Sequence, residues 1–348
     1  MTSRPRLGVQ PVLMCVKHMH RLACAFQAVA GPLGGIAVAE VVDSIRQIFQ
    51  PGPRSPATSR HRPSTVNFAP PLVPTAAGAD ISLIALDMDG TLLNPREDIT
   101  PRVHHALHRA MEMGVQIVLA TARPPRSVRF YHRALKLRTP IISHNGALIW
   151  DERAQCVLRH SSLPQKMVKR VIDFARKRHP DVIPSVEIID TLYSDHFGIV
   201  PVEAIPPGRR FSPDVIADMS SFLHTPVTRV MFHAPAATLD ELTDALTQKF
   251  KSGFSLLRSE HRLLQVVAPD TDKAVALQVV SGWYNVPQSK VLAIGDGPND
   301  VPMLRWAGTS VAMANAPERV RKVARHVVPS NGDDGVAVAL EKFVFCAA

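Results

Sequence analysis

Two carboxylates two residues apart, directly behind a run of apolar residues, are placed for chemistry at phosphorus or for holding a hard cation. They are Asp87 and Asp89 in Asp87-Met88-Asp89-Gly90-Thr91, with Gly90 permitting a sharp turn. On a continuing strand alternate side chains share one face, so both would point the same way. Asp87 could attack phosphorus to make an aspartyl-phosphate, dividing hydrolysis into two easier steps. Asp89 could serve as general acid toward the leaving oxygen and afterwards as general base toward water. The bland alternative is an Asp-rich turn that only caps the next element.

A second acidic constellation, GDGPND (295 to 300), places Asp296, Asn299 and Asp300 after another apolar run. Gathering Asp296 with Asp87 and Asp89 would raise their pKa values unless a cation joined them. Mg²⁺ answers that need, because it prefers oxygen ligands and is held by one or two carboxylates plus substrate phosphate. Asp87, the backbone carbonyl of Asp89 and Asp296 suit it as a set. Ca²⁺ in an EF-hand is the rival, but the alternating oxygen ligands closing on a Glu are absent. Thr121, in LATAR, offers a hydroxyl and a backbone donor to a phosphoryl oxygen. Lys273, in APDTDKAVAL, offers a fixed positive charge to the phosphoryl group and the nucleophile. Singly, a strand-end Thr is usually a cap and a helix Lys is usually solvated. Their order relative to the two acidic motifs carries the information.

Short apolar runs alternating with amphipathic segments from Asp80 onward predict a parallel α/β sheet. Strands are expected at SLIALD (82 to 87), VQIVLAT (115 to 121), TPIISHNG (139 to 146), KVLAIGD (290 to 296) and TSVAMANA (309 to 316). TPRVHHALHRAMEMG (100 to 114) predicts a helix, with Thr100 as N-cap, Pro101 at the first helical position and Gly114 at the stop. The strands ending at Asp87, Thr121 and Asp296 each close on a polar residue. An open α/β sheet binds ligands at the carboxyl ends of its strands, so three distant stretches converge on one crevice.

Taken in order, DMDGT (87 to 91), Thr121, Lys273 and GDGPND resemble the four motifs of the haloacid-dehalogenase superfamily of phosphatases. NGALI (145 to 149), DTDKAVAL and GDGPNDVPML (295 to 304) are similar to its Cof-type sugar-phosphatase branch. The resemblance covers roughly residues 81 to 340. It implies a Rossmann-like parallel-sheet core with an inserted α+β cap, and a Mg²⁺-dependent phosphoric monoester hydrolase. The implied substrate is a small phosphorylated metabolite, a sugar phosphate or a nucleotide-like phosphate. Carried over, Asp87 is the nucleophile and Asp89 the acid/base, and Mg²⁺ sits on Asp87, Asp89 and Asp296 with Asp300 as a supporting carboxylate. Thr121, Lys273 and Asn299 contact substrate phosphate, and Arg123 approaches either the phosphate or the cap. Two departures are visible: Ala122 stands where the family has the Gly of TGR, and Ala274 where a Gly commonly follows the Lys. Both imply a changed loop fit rather than lost activity. Asp89 sets the chain apart from phosphate-transporting ATPases of similar fold, which carry Thr there, and from dehalogenases, which lack that carboxylate. The alternatives are a phosphomutase or phosphotransferase on the same scaffold, or a catalytically idle regulatory protein.

Between Thr121 and Lys273 lie 151 residues, whereas one βαβ crossover needs roughly 30 to 40. The expected division is a core of residues 80 to 147 and 263 to 348 around a cap of residues 148 to 262, which would select substrate. Within the insertion, 165 to 178 and 238 to 250 read as helices, the second with a Thr238 to Glu241 capping box. Residues 228 to 234, 254 to 259 and 261 to 268 read as strands. Glu187, Tyr193, Asp195 and His196 are expected in a solvated loop, with a sugar hydroxyl as their alternative partner. No nucleophile–base pairing is read among the fifteen His.

The chain has 348 residues and a formal net charge of +10. Residues 1 to 79 hold seven Arg and one Lys against Glu40 and Asp43, so the basic bias is concentrated in this Pro-rich stretch. It is expected to be a disordered leader, with an organelle-targeting peptide or a start assigned too far upstream as alternatives; cytoplasmic location is the main expectation. Only 5% of residues are aromatic and none interleave with basic runs, which argues against nucleic-acid binding. No membrane association is expected, and no oligomeric state is read. Cys15, Cys24, Cys156 and Cys346 form no CxxC pair and suit a reducing compartment, and the Cys15, His18, His20, Cys24 spacing matches no standard zinc pattern.

Overall fold

Four consecutive apolar residues, Leu83–Leu86, form strand β1 and are fully buried. Alternation sends Leu83 and Ala85 to one face and Ile84 and Leu86 to the other, and each pair joins a separate hydrophobic cluster, as a sheet covered on both sides requires. The computed structural model describes residues 81–195, 213–260 and 262–346. The leader, the Cys15, His18, His20, Cys24 group and His196 lie outside the described residues.

Helix α1 (Pro101–Glu112) follows β1 and turns Val103, Ala106, Leu107 and Ala110 inward. Thr100 caps it as expected, its hydroxyl accepting from the Val103 amide at 3.3 Å. Strand β2 (Gln116–Leu119) then pairs parallel with β1. Helix α2 (Pro125–Ala134) was not expected from the sequence; its start is set by Pro125, whose fixed φ suits a first helical turn. Strands β3 (Ile141–Ser143), β4 (Leu148–Asp151) and β5 (Cys156–His160) form a small antiparallel sheet. A single parallel bridge from Ala120 to Ile142 draws β3 alongside the end of β2.

The chain next builds α3 (Gln165–Arg178), β6 (Ile183–Ile188), β7 (Thr191–Ser194), β8 (Val215–Ile216), β9 (Arg229–His233), α4 (Ala236–Lys249), β10 (Ser255–Glu260) and β11 (Leu263–Val267). Its six strands run in the order β10-β11-β9-β6-β7-β8, antiparallel except for β7 and β8. Register aligns Val186, Val230 and Val266 on one face, where they share a hydrophobic cluster with residues of α3 and α4. The same register aligns Ser185, Met231 and Gln265, and Glu187 with Arg229, on the opposite face. Those polar groups are also buried.

Two expectations are corrected here. Helix α4 starts at Ala236 behind Pro235, so Thr238 falls inside the first turn and no side chain caps the helix. Glu187 is in a buried strand, Tyr193 lies on β7 with its ring 4.7 Å from that of Phe222, and Asp195 accepts from Arg176 at 2.6 Å. Glu187 and Tyr193 thus sit on strands, and Asp195, in the bend after β7, is paired with Arg176.

The chain returns through α5 (Lys273–Trp283), β12 (Val291–Gly295), α6 (Val301–Trp306), β13 (Thr309–Met313), α7 (Glu318–Arg321), β14 (His326–Val328) and α8 (Gly335–Leu340). The resulting core sheet is parallel throughout, in the order β14-β13-β12-β1-β2. No helix among the described residues is long and apolar enough to cross a membrane. The Thr100 hydroxyl also donates to Asp334 at 2.6 Å, tying the start of α1 to the start of α8. Thr100→Ala should therefore lower unfolding free energy by about 1 kcal/mol, measured by urea titration, with unchanged turnover; an unaltered midpoint would mean that the cap carries no stability.

Candidate active site

The site's layout follows from strand register. Leu86 pairs with Leu119 on one side and Ile294 on the other, so the residues just beyond these positions emerge at one edge of the sheet. They are Asp87, Thr121 and Asp296. The Asp87 amide donates to the Ile294 carbonyl at 3.0 Å, and the Ala120 amide to the Leu86 carbonyl at 2.9 Å, which fixes the three strand ends against one another.

Lys273 opens α5, whose N-cap Asp272 accepts from the Val275 amide at 2.8 Å. Its side chain has no exposed surface, and its Nζ donates to Asp87 Oδ1 at 2.5 Å and Asp300 Oδ1 at 2.6 Å. The other oxygen of Asp300 accepts from the backbone amides of Asp296 at 3.0 Å and Gly297 at 2.8 Å. Asp296 Oδ1 accepts from the Thr91 hydroxyl at 3.0 Å. Oxygens of Asp87, Asp296 and Asp300 all lie within 4.8 Å of one another. Gly90, at φ +79°, passes so near that a Cβ there would fall 2.3 Å from Asp296 Oδ2. Only glycine allows that approach.

Burial and the neighbouring Asp300 push the Asp87 pKa well above the ordinary aspartate range, against the opposing pull of Lys273. Burial and Asp300 likewise raise Asp296 to about 6. Burial alone would lower the Lys273 ammonium, but Asp300 and Asp87 outweigh it and hold the group above its usual value.

The Asp89 carboxylate is not one of the three that cluster, those of Asp87, Asp296 and Asp300. It takes a two-pronged bond from Arg123, at 2.8 Å from Nε and 2.5 Å from Nη2. The Arg123 guanidinium also lies 3.7 Å from Glu97 and over the Tyr131 ring. Its side chain is bonded to Asp89, which neither of the expected placements foresaw. Thr121 differs from expectation in one respect: its backbone N–H is committed to the Ile142 carbonyl at 2.9 Å, because the bridge to β3 continues there. Its hydroxyl accepts from the Arg123 amide at 3.1 Å, which leaves the hydroxyl hydrogen to be donated. Asn299 Nδ2 donates to Asn145 Oδ1 at 2.9 Å.

Other residues at the site carry roles the sequence reading did not assign. Asn315, two residues past β13 at the same sheet edge, donates to the Gly90 carbonyl at 2.8 Å and weakly to Asp296 at 3.4 Å. Arg229, from β9 of the inserted sheet, donates to the Ala122 carbonyl at 3.1 Å and to Gln265 at 2.8 Å, with Glu187 at 3.3 Å. Arg126 pairs with Glu187 and its amide donates to Asp190 at 2.7 Å. The position of Asn315 beyond an apolar strand was the available signal; nothing local marks the other pairings.

The donor set fits a hard dication. All the groups are oxygens, and three carboxylates with one ammonium leave two formal negative charges in a largely buried space.

A haloacid dehalogenase-like hydrolase family model matches residues 84–340. The chain is 30% identical over 264 residues to the 5-amino-6-(5-phospho-D-ribitylamino)uracil phosphatase YitU of Bacillus subtilis, covering 75% of this chain and 97% of that protein. It is also 30% identical over 270 residues to the pyridoxal phosphate phosphatase YbhA of Escherichia coli, covering 73% and 96%. Among solved structures, a haloacid dehalogenase-like hydrolase from Bacteroides thetaiotaomicron superposes with a TM-score of 0.67 at 29% identity, covering 75% of this chain and 99% of that one. The chain belongs to the haloacid dehalogenase-like hydrolase family. Within it, the chain is a phosphatase of the Cof-type branch.

The raised Asp296 pKa has a testable consequence without metal. A folded-state value near 6 lies above the unfolded aspartate value of about 3.9, so the associated stability is complete below pH ~4 and is lost as pH rises through about 6. In chelator, Asp296→Asn should raise the thermal midpoint at pH 7.5 and do so far less at pH 4.5. Equal shifts at both pH values would contradict the electrostatic reading.

Proposed function

We propose that the chain hydrolyses a small phosphorylated metabolite by passing its phosphoryl group through Asp87. The observation that carries this is the buried Lys273 held between Asp87 and Asp300, with Asp296 beside them. Lys273 occupies Asp87 Oδ1 and so orients the carboxylate, leaving Oδ2 to attack. A new bond forms from that oxygen to phosphorus as the ester P–O bond breaks, and the departing alcohol oxygen takes a proton from Asp89. Water then attacks phosphorus, gives its proton to Asp89 and releases inorganic phosphate, restoring the Asp87 carboxylate. Asp87, Asp296 and the Asp89 carbonyl would hold Mg²⁺, with Asp300 in support; once bound it supplies charge neutralisation between nucleophile and phosphoryl oxygens.

Arg123 gives the substrate a way to ready the site. A phosphate group matches the guanidinium fork as well as a carboxylate does, so an incoming phosphoryl group competes with Asp89 for Arg123. Thr121 and Lys273 supply further donors to the phosphoryl oxygens. Asn299 is the remaining phosphate contact expected at this edge.

The inserted segment acts in this reading as the cap that selects the leaving group. Its polar face, with Ser185, Glu187, Arg229 and Gln265, is joined to the phosphate-side loop through the Arg229 contact to Ala122. Relatives named for 5-amino-6-(5-phospho-D-ribitylamino)uracil and for pyridoxal phosphate support a small metabolite as substrate. The test is phosphate release from a metabolite panel and from p-nitrophenyl phosphate, with Mg²⁺ or with chelator. Turnover should need Mg²⁺, and Asp87→Asn should lower it by on the order of 10³-fold or more. Undiminished turnover in chelator would remove the metal, and near-wild-type Asp87→Asn turnover would remove the nucleophile.

A further inference from the structure

The turn His144–Gly146 passes through three consecutive residues with positive φ: 51° at His144, 56° at Asn145 and 97° at Gly146. Two of them are not glycine, and such strain persists where the surroundings enforce it, commonly at functional sites. The surroundings here are the catalytic loops. The His144 amide donates to the Arg123 carbonyl at 3.3 Å and the Asn145 amide to the Thr121 carbonyl at 3.0 Å. A Cβ on Gly146 would stand 2.1 Å from the Asp272 carbonyl oxygen, next to Lys273, so the turn is pressed against the start of α5. Asn145 Oδ1 accepts from Asn299 at 2.9 Å. One side chain is thus lodged where the loops bearing Thr121, Lys273 and Asn299 meet.

Asn145 is only 2% exposed, yet its Nδ2 has no hydrogen-bond partner among the described residues. A buried amide donor without an acceptor is destabilising, and glycine at this position would remove both that donor and the backbone strain. The amide is explained if an acceptor arrives with the ligand. At a junction of phosphate-binding loops, that acceptor is a phosphoryl oxygen.

We infer that Asn145 is a further substrate-contacting residue, its Nδ2 donating to a phosphoryl oxygen of the bound substrate. The assignment rests on the phosphatase reading above. It also defines a shared task for the amide pair, since Asn299 fixes Asn145 by its oxygen and leaves the nitrogen end for substrate.

The test measures competitive inhibition by inorganic phosphate during Mg²⁺-dependent hydrolysis of p-nitrophenyl phosphate, together with thermal midpoints. It compares the wild type, Asn145→Gly, Asn299→Ala and the double variant. Glycine suits the left-handed backbone, so Asn145→Gly should keep the wild-type midpoint within a few degrees. Its phosphate inhibition constant should rise about 10- to 100-fold, as for loss of a hydrogen bond to a charged group. The same substitution should weaken phosphate again in the Asn299→Ala background. No further weakening there would show that Asn145 acts only through Asn299 and would overturn the inference. Asn145→Asp keeps the acceptor for Asn299 and nearly the same shape while deleting the donor, so wild-type phosphate affinity in that variant would also overturn it. A wild-type protein that hydrolyses no phosphate monoester would contradict the phosphatase reading itself, whereas normal wild-type turnover with an unchanged inhibition constant in Asn145→Gly would contradict this inference alone.

Discussion

A lysine ammonium with no exposed surface is held between two carboxylates at the edge of a parallel sheet, and the other parts of the site are set around it. Burying Lys273 carries a desolvation penalty that only close opposite charges can offset. Asp87 and Asp300 provide them, and Asp300 is itself immobilised by two backbone amides. The result is a rigid strut, from the Asp296–Gly297 backbone through Asp300 to Lys273, that presents Asp87 in one orientation. Asp296 adds a third carboxylate that the single ammonium does not balance. Burial together with the neighbouring Asp300 raises the pKa values of Asp87 and Asp296, and the proposed dication would offset that excess of negative charge.

Precision at this level comes from backbone rather than side chains. Parallel pairing of β1 with both β2 and β12 delivers Asp87, Thr121 and Asp296 to one edge without further adjustment. The bridge from Ala120 to Ile142 then extends the same ladder to the turn containing Asn145. At Gly90 and Gly146 the backbone approaches another group too closely for any side chain. Asn315 holds the Gly90 carbonyl, so the turn between Asp89 and Thr91 is fixed from the far side of the crevice.

Local pattern made the core legible. Buried strands read as apolar runs ending on a polar residue, and α1 carried its start in Thr100 and Pro101, so both were visible without tertiary knowledge. The acidic motifs were legible for the same reason, since Asp87 and Asp296 each follow such a strand. What escaped was everything decided by a distant partner. Glu187 and Asp195 look like solvated carboxylates until Arg126, Arg229 and Arg176 are brought to them. Thr121 lost its free amide to Ile142, a residue of a strand whose neighbours could not be read. At α4, the capping-box pattern at Thr238 was overridden because Pro235 already starts the helix.

The inserted sheet offers a polar, buried face joined to the loop of Thr121 through Arg229, and we assign leaving-group recognition to it. The chemistry proposed at Asp87 does not depend on which metabolite that face accepts. A single turnover in ¹⁸O-labelled water, with enzyme in excess over substrate, tests that chemistry most directly. The account predicts that the first phosphate released carries one heavy oxygen from water and that the peptide containing Asp87 stays unlabelled, because water attacks phosphorus and not the acyl carbon. Enzyme quenched in acid during turnover should carry phosphate on Asp87 alone. Quenched enzyme with no phosphate on Asp87 during steady turnover, or with phosphate on another residue, would contradict it.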